Sequence, residues 1–139
     1  MTERVLVNSP YLLGTADDGL KLVRMVRSAT PFPSLEALRQ SNAERERMLA
    51  PLHNLDYGLL LDARLGPIRN DPDFEAESGR ARLEMFTHFS RVAILVRTHT
   101  GLLQMERLQR VESSQRGAKA IQAFLQDEAA ALAFLAARG

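Results

Sequence analysis

The side chains with the most potential for chemistry lie in two polar segments, each of which follows a short apolar run. The apolar runs are residues 58–61 and residues 92–96. The polar residues that follow them are Asp62, Arg64, Arg69, Asn70 and Asp71 in the first segment, and Arg97, Thr98 and His99 in the second. Arginine binds carboxylates and phosphates through two parallel hydrogen bonds. This set of residues therefore predicts a binding site for a small anion or for an acidic partner.

A simpler interpretation of the same residues stays open. Asp62 would pair with Arg64 or Arg97, Asp71 would cap a helix, and the remaining arginines would project into water. Under that interpretation the polar segments would hold the fold together at its surface without binding a ligand.

Catalysis has little support in the sequence. His99 beside Asp62 would be an arrangement for acid–base chemistry, because a carboxylate orients an imidazole that titrates near neutral pH. The chain nevertheless lacks HExxH, GxSxG and Walker-type glycine motifs, and the other two histidines, His53 and His88, lie far from His99 in sequence. The absence of cysteine excludes thiolate chemistry. We expect no enzyme activity, no metal and no cofactor.

The elements that must position these residues follow from the apolar pattern. Residues 58–61 are too few for a helix and too continuous for a half-exposed strand, so they predict a strand buried on both faces in the middle of a sheet. Asp71-Pro72 is typical of a helix start, and a helix over residues 72–88 precedes a second buried strand at residues 92–96. A helix between two such strands predicts a parallel crossover, which places both polar segments at the carboxyl edge of the sheet.

The rest of the chain completes an α/β pattern. Residues 4–13 predict a strand interrupted or bent at Pro10, residues 14–19 predict a turn, and residues 20–26 predict the second strand of a hairpin. Ser34 is a suitable N-cap for a helix over residues 35–53, whose polar middle, residues 41–47, we expect to be wet or to bind something. A third helix from residue 102 fades by residue 113 and ends at Gly117, before a strand at 118–125 and a final helix capped by Asp127. The predicted order is ββαβαβαβα, in a single domain over residues 1–139 with a mixed, mainly parallel sheet.

Charge and hydropathy limit the classes of partner. The 139 residues include 18 basic and 17 acidic side chains, and the net charge of +1 gives no broad field that would attract nucleic acid. Acidic side chains alternate with the arginines in the arginine-rich stretches, which also argues against nucleic-acid binding. The first residues form neither a signal peptide nor a membrane span, so we expect a cytoplasmic protein.

Three short motifs carry a resemblance to a known family. They are LLLDAR at residues 59–64, VAILVRT at residues 92–98, and DEAAALAFL at residues 127–135 after the closing strand. With the element order, these motifs resemble the STAS family, in the branch of anti-sigma-factor antagonists and their Sec14-like relatives. In the phosphorylation-switched members, the loop matching residues 63–71 carries a serine or threonine that a partner kinase modifies. This chain has neither residue there, and Ser78 lies about two turns into the following helix, so the resemblance implies the fold and a protein-binding role without the kinase switch.

The expected function is a non-enzymatic protein-interaction or regulatory module that uses the loops at the carboxyl edge of the sheet. A protein partner is expected, and a homodimer is possible. The alternative is a carrier or sensor of a small apolar or anionic ligand, which the Sec14-like relatives suggest, with the helix over residues 35–52 as part of a cover.

Overall fold

The computed structural model of the protein describes residues 3–53, 55–67, 71–116 and 120–137. Its strands and helices in chain order are β1 Glu3–Asn8, β2 Leu12–Asp17, β3 Leu22–Arg27, α1 Leu35–Leu49, a short 3-10 turn Ala50–Leu52, β4 Gly58–Asp62, α2 Pro72–Phe86, β5 Arg91–Val96, α3 His99–Arg116, β6 Ala120–Leu125 and α4 Glu128–Ala136. The predicted α/β class is confirmed.

The six strands form one sheet in which every strand lies beside its neighbour in sequence, in the order β1-β2-β3-β4-β5-β6. The first three strands, which we call the antiparallel half, pair antiparallel to one another. From β3 onward the pairing is parallel, and we call β4, β5 and β6 the parallel half. The mixed, mainly parallel sheet is confirmed, and β4 lies in its middle between β3 and β5 as predicted.

The beginning of the chain holds one strand more than predicted. The predicted interruption at Pro10 is confirmed, but the prediction of one strand over these residues is wrong, because the chain reverses there and returns as β2. The reversal is closed by the Ser9 amide, which donates to the Leu12 carbonyl at 3.0 Å, and by the Leu12 amide, which donates to Ser9 Oγ at 3.2 Å. Proline suits this turn because it has no backbone N–H to leave unpaired.

The turn predicted at residues 14–19 is also wrong for its first four residues, which belong to β2. The turn comes later, at residues 18–21, where the Leu20 amide donates to Asp17 Oδ1 at 3.0 Å. Gly14 serves a close approach and not a turn, because a Cβ atom at this position would lie 2.6 Å from Met25 Sδ on the neighbouring strand.

Three helices cover the first face of the sheet. Residues of α1 and α2, among them Leu49, Met85 and Phe86, pack with Leu59 and Val92 of the central strands to form the main core, and α3 adds partly buried residues. Successive parallel crossovers of one hand along sequential strands place their helices on one face, which is the arrangement seen here.

The second face of the sheet is covered by α4, which packs on β4, β5 and β6. Its buried residues Ala131 and Leu135 contact Leu60, Ala93 and Leu95 in a smaller core. None of the described elements is comparably packed over the antiparallel half of this face, where Val5 is 60% exposed and Leu13 is 43% exposed.

The helix caps were largely predictable. Ser34 Oγ accepts a hydrogen bond from the Ala37 amide at 3.1 Å, and Asp127 Oδ1 accepts one from the Ala130 amide at 2.9 Å, so both predicted caps are confirmed. Helix α3 begins at His99, earlier than its apolar pattern predicted, and the predicted end at Gly117 lies outside the described residues. In the part of the chain that the structure describes, every helix is too short or too polar to cross a membrane.

Candidate functional site

The carboxyl end of β4 carries an ion pair between the buried Asp62 and the half-buried Arg64. Arg64 Nε donates to Asp62 Oδ1 at 2.9 Å and Nη2 donates to Oδ2 at 2.7 Å, while the Arg64 amide donates to Oδ1 at 3.1 Å. Burial raises the pKa of Asp62, but the hydrogen bonds from Arg64 outweigh it and hold the pKa below its usual value. Asp62 is therefore ionised at neutral pH, and both of its carboxylate oxygens accept hydrogen bonds from Arg64.

A second carboxylate and a second arginine extend this pair. Glu128 Oε1, at the start of α4, lies 3.4 Å from Arg64 Nη2 and 3.4 Å from Arg24 Nη1 of β3. We call Arg24, Asp62, Arg64 and Glu128 the carboxylate–arginine cluster. The charges of two carboxylates balance those of two guanidinium groups within the cluster. Its ion pairs join β3, β4 and α4. The predicted use of Arg64 as an anion-binding group is not favoured by this geometry, because two anionic side chains already occupy it.

The strand that carries the second polar segment lies where the sequence predicted. β5 pairs parallel with β4, with Leu95 opposite Asp62, so Arg97, Thr98 and His99 leave the sheet at the same edge as Arg64. Thr98 has a structural role, because its Oγ1 accepts a hydrogen bond from the Gly101 amide at 3.0 Å and caps α3. Arg97 and His99 are exposed.

The remaining predicted residues lie in or beside the loop before α2. Arg69 and Asn70 lie outside the described residues. Asp71 occupies the N-cap position of α2 and Pro72 the first helical position, as predicted. The carboxylate of Asp71 makes no capping hydrogen bond, so the capping interaction predicted for its side chain is wrong.

Apolar side chains are exposed at the same edge. Leu65, directly after Arg64, is 55% exposed, and Leu125, the last residue of β6, is 40% exposed. Leu125 lies opposite Val96 in the sheet, and Gln126 Nε2 donates to the Arg97 carbonyl at 2.9 Å. We call Leu65, Arg97, His99 and Leu125 the carboxyl-edge patch.

The sequence did not predict the use made of the polar middle of α1. Asn42 is buried and donates to Glu77 Oε2 of α2 at 2.9 Å, and Arg45 Nη2 donates to the Ala81 carbonyl at 3.0 Å. Arg80 in turn joins Glu77 to Glu46. Burial lowers the pKa of Arg45 to about 10. These polar residues therefore pack α1 onto α2, where a wet or ligand-binding segment was predicted.

An open depression lies between the amino-terminal ends of α1 and α2. Its lining comprises Leu35, Asp71, Pro72, Asp73 and Phe74. The lining is apolar with two carboxylates, a composition that favours an apolar or cationic group over an anion. Among the described residues, no group of three or more histidine, aspartate or glutamate side chains is arranged to hold a metal ion.

Comparisons with known proteins do not identify a family. No protein-family model matches the chain, and no curated protein or solved structure matches it. The STAS-like assignment therefore stays a prediction made from the three motifs and the element order.

Proposed function

We propose that this protein is a non-enzymatic interaction domain with a STAS-like fold, which acts in the cytoplasm and binds a protein partner through its carboxyl-edge patch. The observation that carries the proposal is the exposure of Leu65 and Leu125 at the carboxyl edge of the sheet. Single exposed leucines are common, but two at one edge beside exposed Arg97 combine apolar area with a residue type that is enriched in interfaces.

The carboxylate–arginine cluster supports this proposal by holding the patch in place. Arg64 is fixed through Asp62 and Glu128, and Leu65 follows it directly in the chain. A contact residue on a pre-ordered loop loses less conformational entropy on binding than one on a mobile loop. The cluster is thus a support for the interface, and the exposed Arg97 can pair with an acidic residue of the partner.

The composition of the patch defines the partner's surface. Leu65 and Leu125 would enter an apolar area, and Arg97 would pair with an acidic residue beside it. The described part of the β4–α2 loop, residues 63–67 and 71, contains no hydroxyl group, and Ser78 lies on α2 itself. We therefore propose that binding at this edge is constitutive and is not switched by phosphorylation of the loop.

A pull-down from the native host, quantified by mass spectrometry, tests the proposal with one variant and one matched control. The double variant Leu65→Ser, Arg97→Ala should reduce recovery of the partner at least about tenfold, because interface anchors contribute roughly 2 kcal/mol or more each. Leu20→Ser is the control, since Leu20 is 60% exposed in the turn at the opposite edge of the sheet. Equal recovery of every protein by wild type and double variant would contradict the proposal.

The depression between α1 and α2 supports a second candidate, a carrier or sensor of a small ligand. Leu35, Pro72 and Phe74 offer apolar contact, and Asp71 and Asp73 would favour a cationic group at its rim. Native mass spectrometry of protein purified from its host distinguishes the two candidates. A stoichiometric small-molecule adduct that is lost in Phe74→Asp would support the carrier. The mass of the chain alone, without an adduct, would favour the interaction domain.

A further inference from the structure

Two of the three histidines in the chain meet at the opposite edge of the sheet. His53 follows the 3-10 turn that extends α1, and His88 follows the carboxyl end of α2, so both precede the central strands β4 and β5. Each is held by a backbone hydrogen bond, from the His53 amide to the Ala50 carbonyl and from the His88 amide to the Met85 carbonyl, both at 3.2 Å. The two residues are 35 positions apart in sequence. Neither is part of the carboxyl-edge patch.

The imidazole rings face each other through the same nitrogen. His53 Nδ1 and His88 Nδ1 are 3.1 Å apart, and the ring planes are nearly perpendicular, at 87°. In the metal-free protein one Nδ1–H donates to the lone pair of the other Nδ1. Zinc binds imidazole nitrogen at about 2.0–2.1 Å, so two nitrogens on one tetrahedral zinc lie about 3.3 Å apart. A widening of roughly 0.2 Å, together with a rotation of the rings that turns both Nδ1 lone pairs toward one point, would therefore let a metal ion take the place of the hydrogen bond.

A neighbouring carboxylate favours the protonation state that metal binding needs. If both Nδ1 atoms bind a metal, each ring must carry its proton on Nε2. His88 Nε2 lies 3.9 Å from Glu84 Oε1 on the same helix, within ion-pair distance. Metal-bound histidines commonly donate their second N–H to a carboxylate, which orients the ring and strengthens the ligand.

We propose that His53 and His88 form a binding site for a late first-row divalent metal ion such as Zn²⁺. Imidazole suits zinc, nickel and copper, and hard-oxygen ions such as Mg²⁺ would not select two nitrogens. The exposed ring of His53 gives the ion access. The His88 side chain is only 9% exposed, so its ring is held in place by the surrounding residues. Water or another ligand completes the coordination, so the ion is exchangeable.

The bound ion would connect the same two helices that the buried polar contacts already join. Asn42 and Arg45 fix α1 against α2 nearer its start, and the histidine pair would fix the two helices again at their carboxyl ends. A ligand that binds only the folded state raises stability by mass action. The melting temperature should therefore rise with zinc concentration.

Isothermal titration of the tag-free full chain with ZnCl₂ tests this site, with the melting temperature as a second measurement. We expect one Zn²⁺ per chain, a melting temperature that rises with zinc, and a loss of affinity of at least about tenfold in His53→Asn and in His88→Asn. His99→Asn is the matched control, because His99 is the third histidine and lies exposed at the carboxyl edge. It should bind zinc as the wild type does.

Substitution with Co²⁺ adds a direct view of the coordination, since a tetrahedral site with nitrogen ligands gives intense visible absorption bands. Those bands should be present in the wild type and in His99→Asn, and absent in His53→Asn. If His88→Asn does not fold, His53→Asn decides the matter, because its side chain is exposed and its removal leaves the core intact. Folded wild-type protein without saturable zinc binding, or full binding by His53→Asn, would overturn the proposal.

Discussion

The parallel and antiparallel halves of the sheet bury their second face very differently. Leu60 of β4 is fully buried beneath α4, whereas Leu13 of β2 is 43% exposed, although both point to the same face. The register shows this directly, because Leu13 lies opposite Val26 and Val26 lies opposite Asp62, two residues after Leu60. The difference teaches that residue type does not decide burial on this face. Burial on this face depends on which strands helix α4 covers, and these are β4, β5 and β6.

The largest effect that would test this difference is a matched pair of truncations. Leu60→Ala should lower the free energy of unfolding by about 2–5 kcal/mol, because it leaves a cavity under α4. Leu13→Ala should change it by less than about 1 kcal/mol, because the removed atoms are already partly hydrated. Urea denaturation followed by circular dichroism measures both. Losses of equal size would show that another part of the protein covers Leu13.

The buried strands were predictable because their signal is local. A continuous apolar run of four or five residues has few alternatives in a chain of this size, and β4 and β5 were found where such runs lie. The antiparallel half was harder to predict from the sequence, because glycine and proline occur both in turns and in strands. Gly14 was interpreted as a turn residue, but it makes room for Met25 on the next strand, and that requirement exists only after the strands have paired.

A smaller effect concerns the hydrogen bonds that join the antiparallel half of the sheet to the segment just before β4, at the edge opposite the carboxyl-edge patch. Asp18, in the turn after β2, accepts hydrogen bonds from Arg4 Nε at 2.8 Å and Nη2 at 3.1 Å, and a further one from the Tyr57 hydroxyl just before β4. The hydrogen bonds from Arg4 and then from Tyr57 lower the pKa of Asp18 to about 2, from an ordinary value of 3.8.

Because the pKa of Asp18 is lower in the folded state, its contribution to stability is present above its ordinary pKa and is lost as the pH falls toward 2. We expect wild type to melt at a higher temperature than Asp18→Asn at pH 6, with a difference that shrinks between about pH 4 and about pH 2. The effect should be modest, since the pair is exposed to solvent. Tyr57→Phe removes only the smaller of the two contributions, so this variant should keep most of the pH dependence, because the Arg4–Asp18 pair stays in place. A difference that does not change with pH would contradict this assignment.

The candidate sites, like the strands, were predictable only where the signal is local in sequence. Asp62 and Arg64 are two residues apart, and their pairing was one of the interpretations open from the sequence. Arg24 and Glu128 were not predictable as their partners, because they come together only through the β3–β4 pairing and the position of α4. The contact between His53 and His88 likewise depends on how α1 and α2 pack, and no local spacing encodes it.

The sequential strand order has a consequence for how the chain acquires its structure during synthesis. Each new strand adds to the free edge left by the strand before it, and no later strand has to insert between two that are already paired. The sheet can therefore grow from β1 to β6 as the chain leaves the ribosome, with mostly short loops to close. Helix α4 follows β6 in the chain, so Leu60, Ala93 and Leu95 remain open to water until α4 has been synthesised and has packed on them. The nascent chain thus carries an apolar strip that a chaperone would recognise, and packing of α4 onto the sheet covers it.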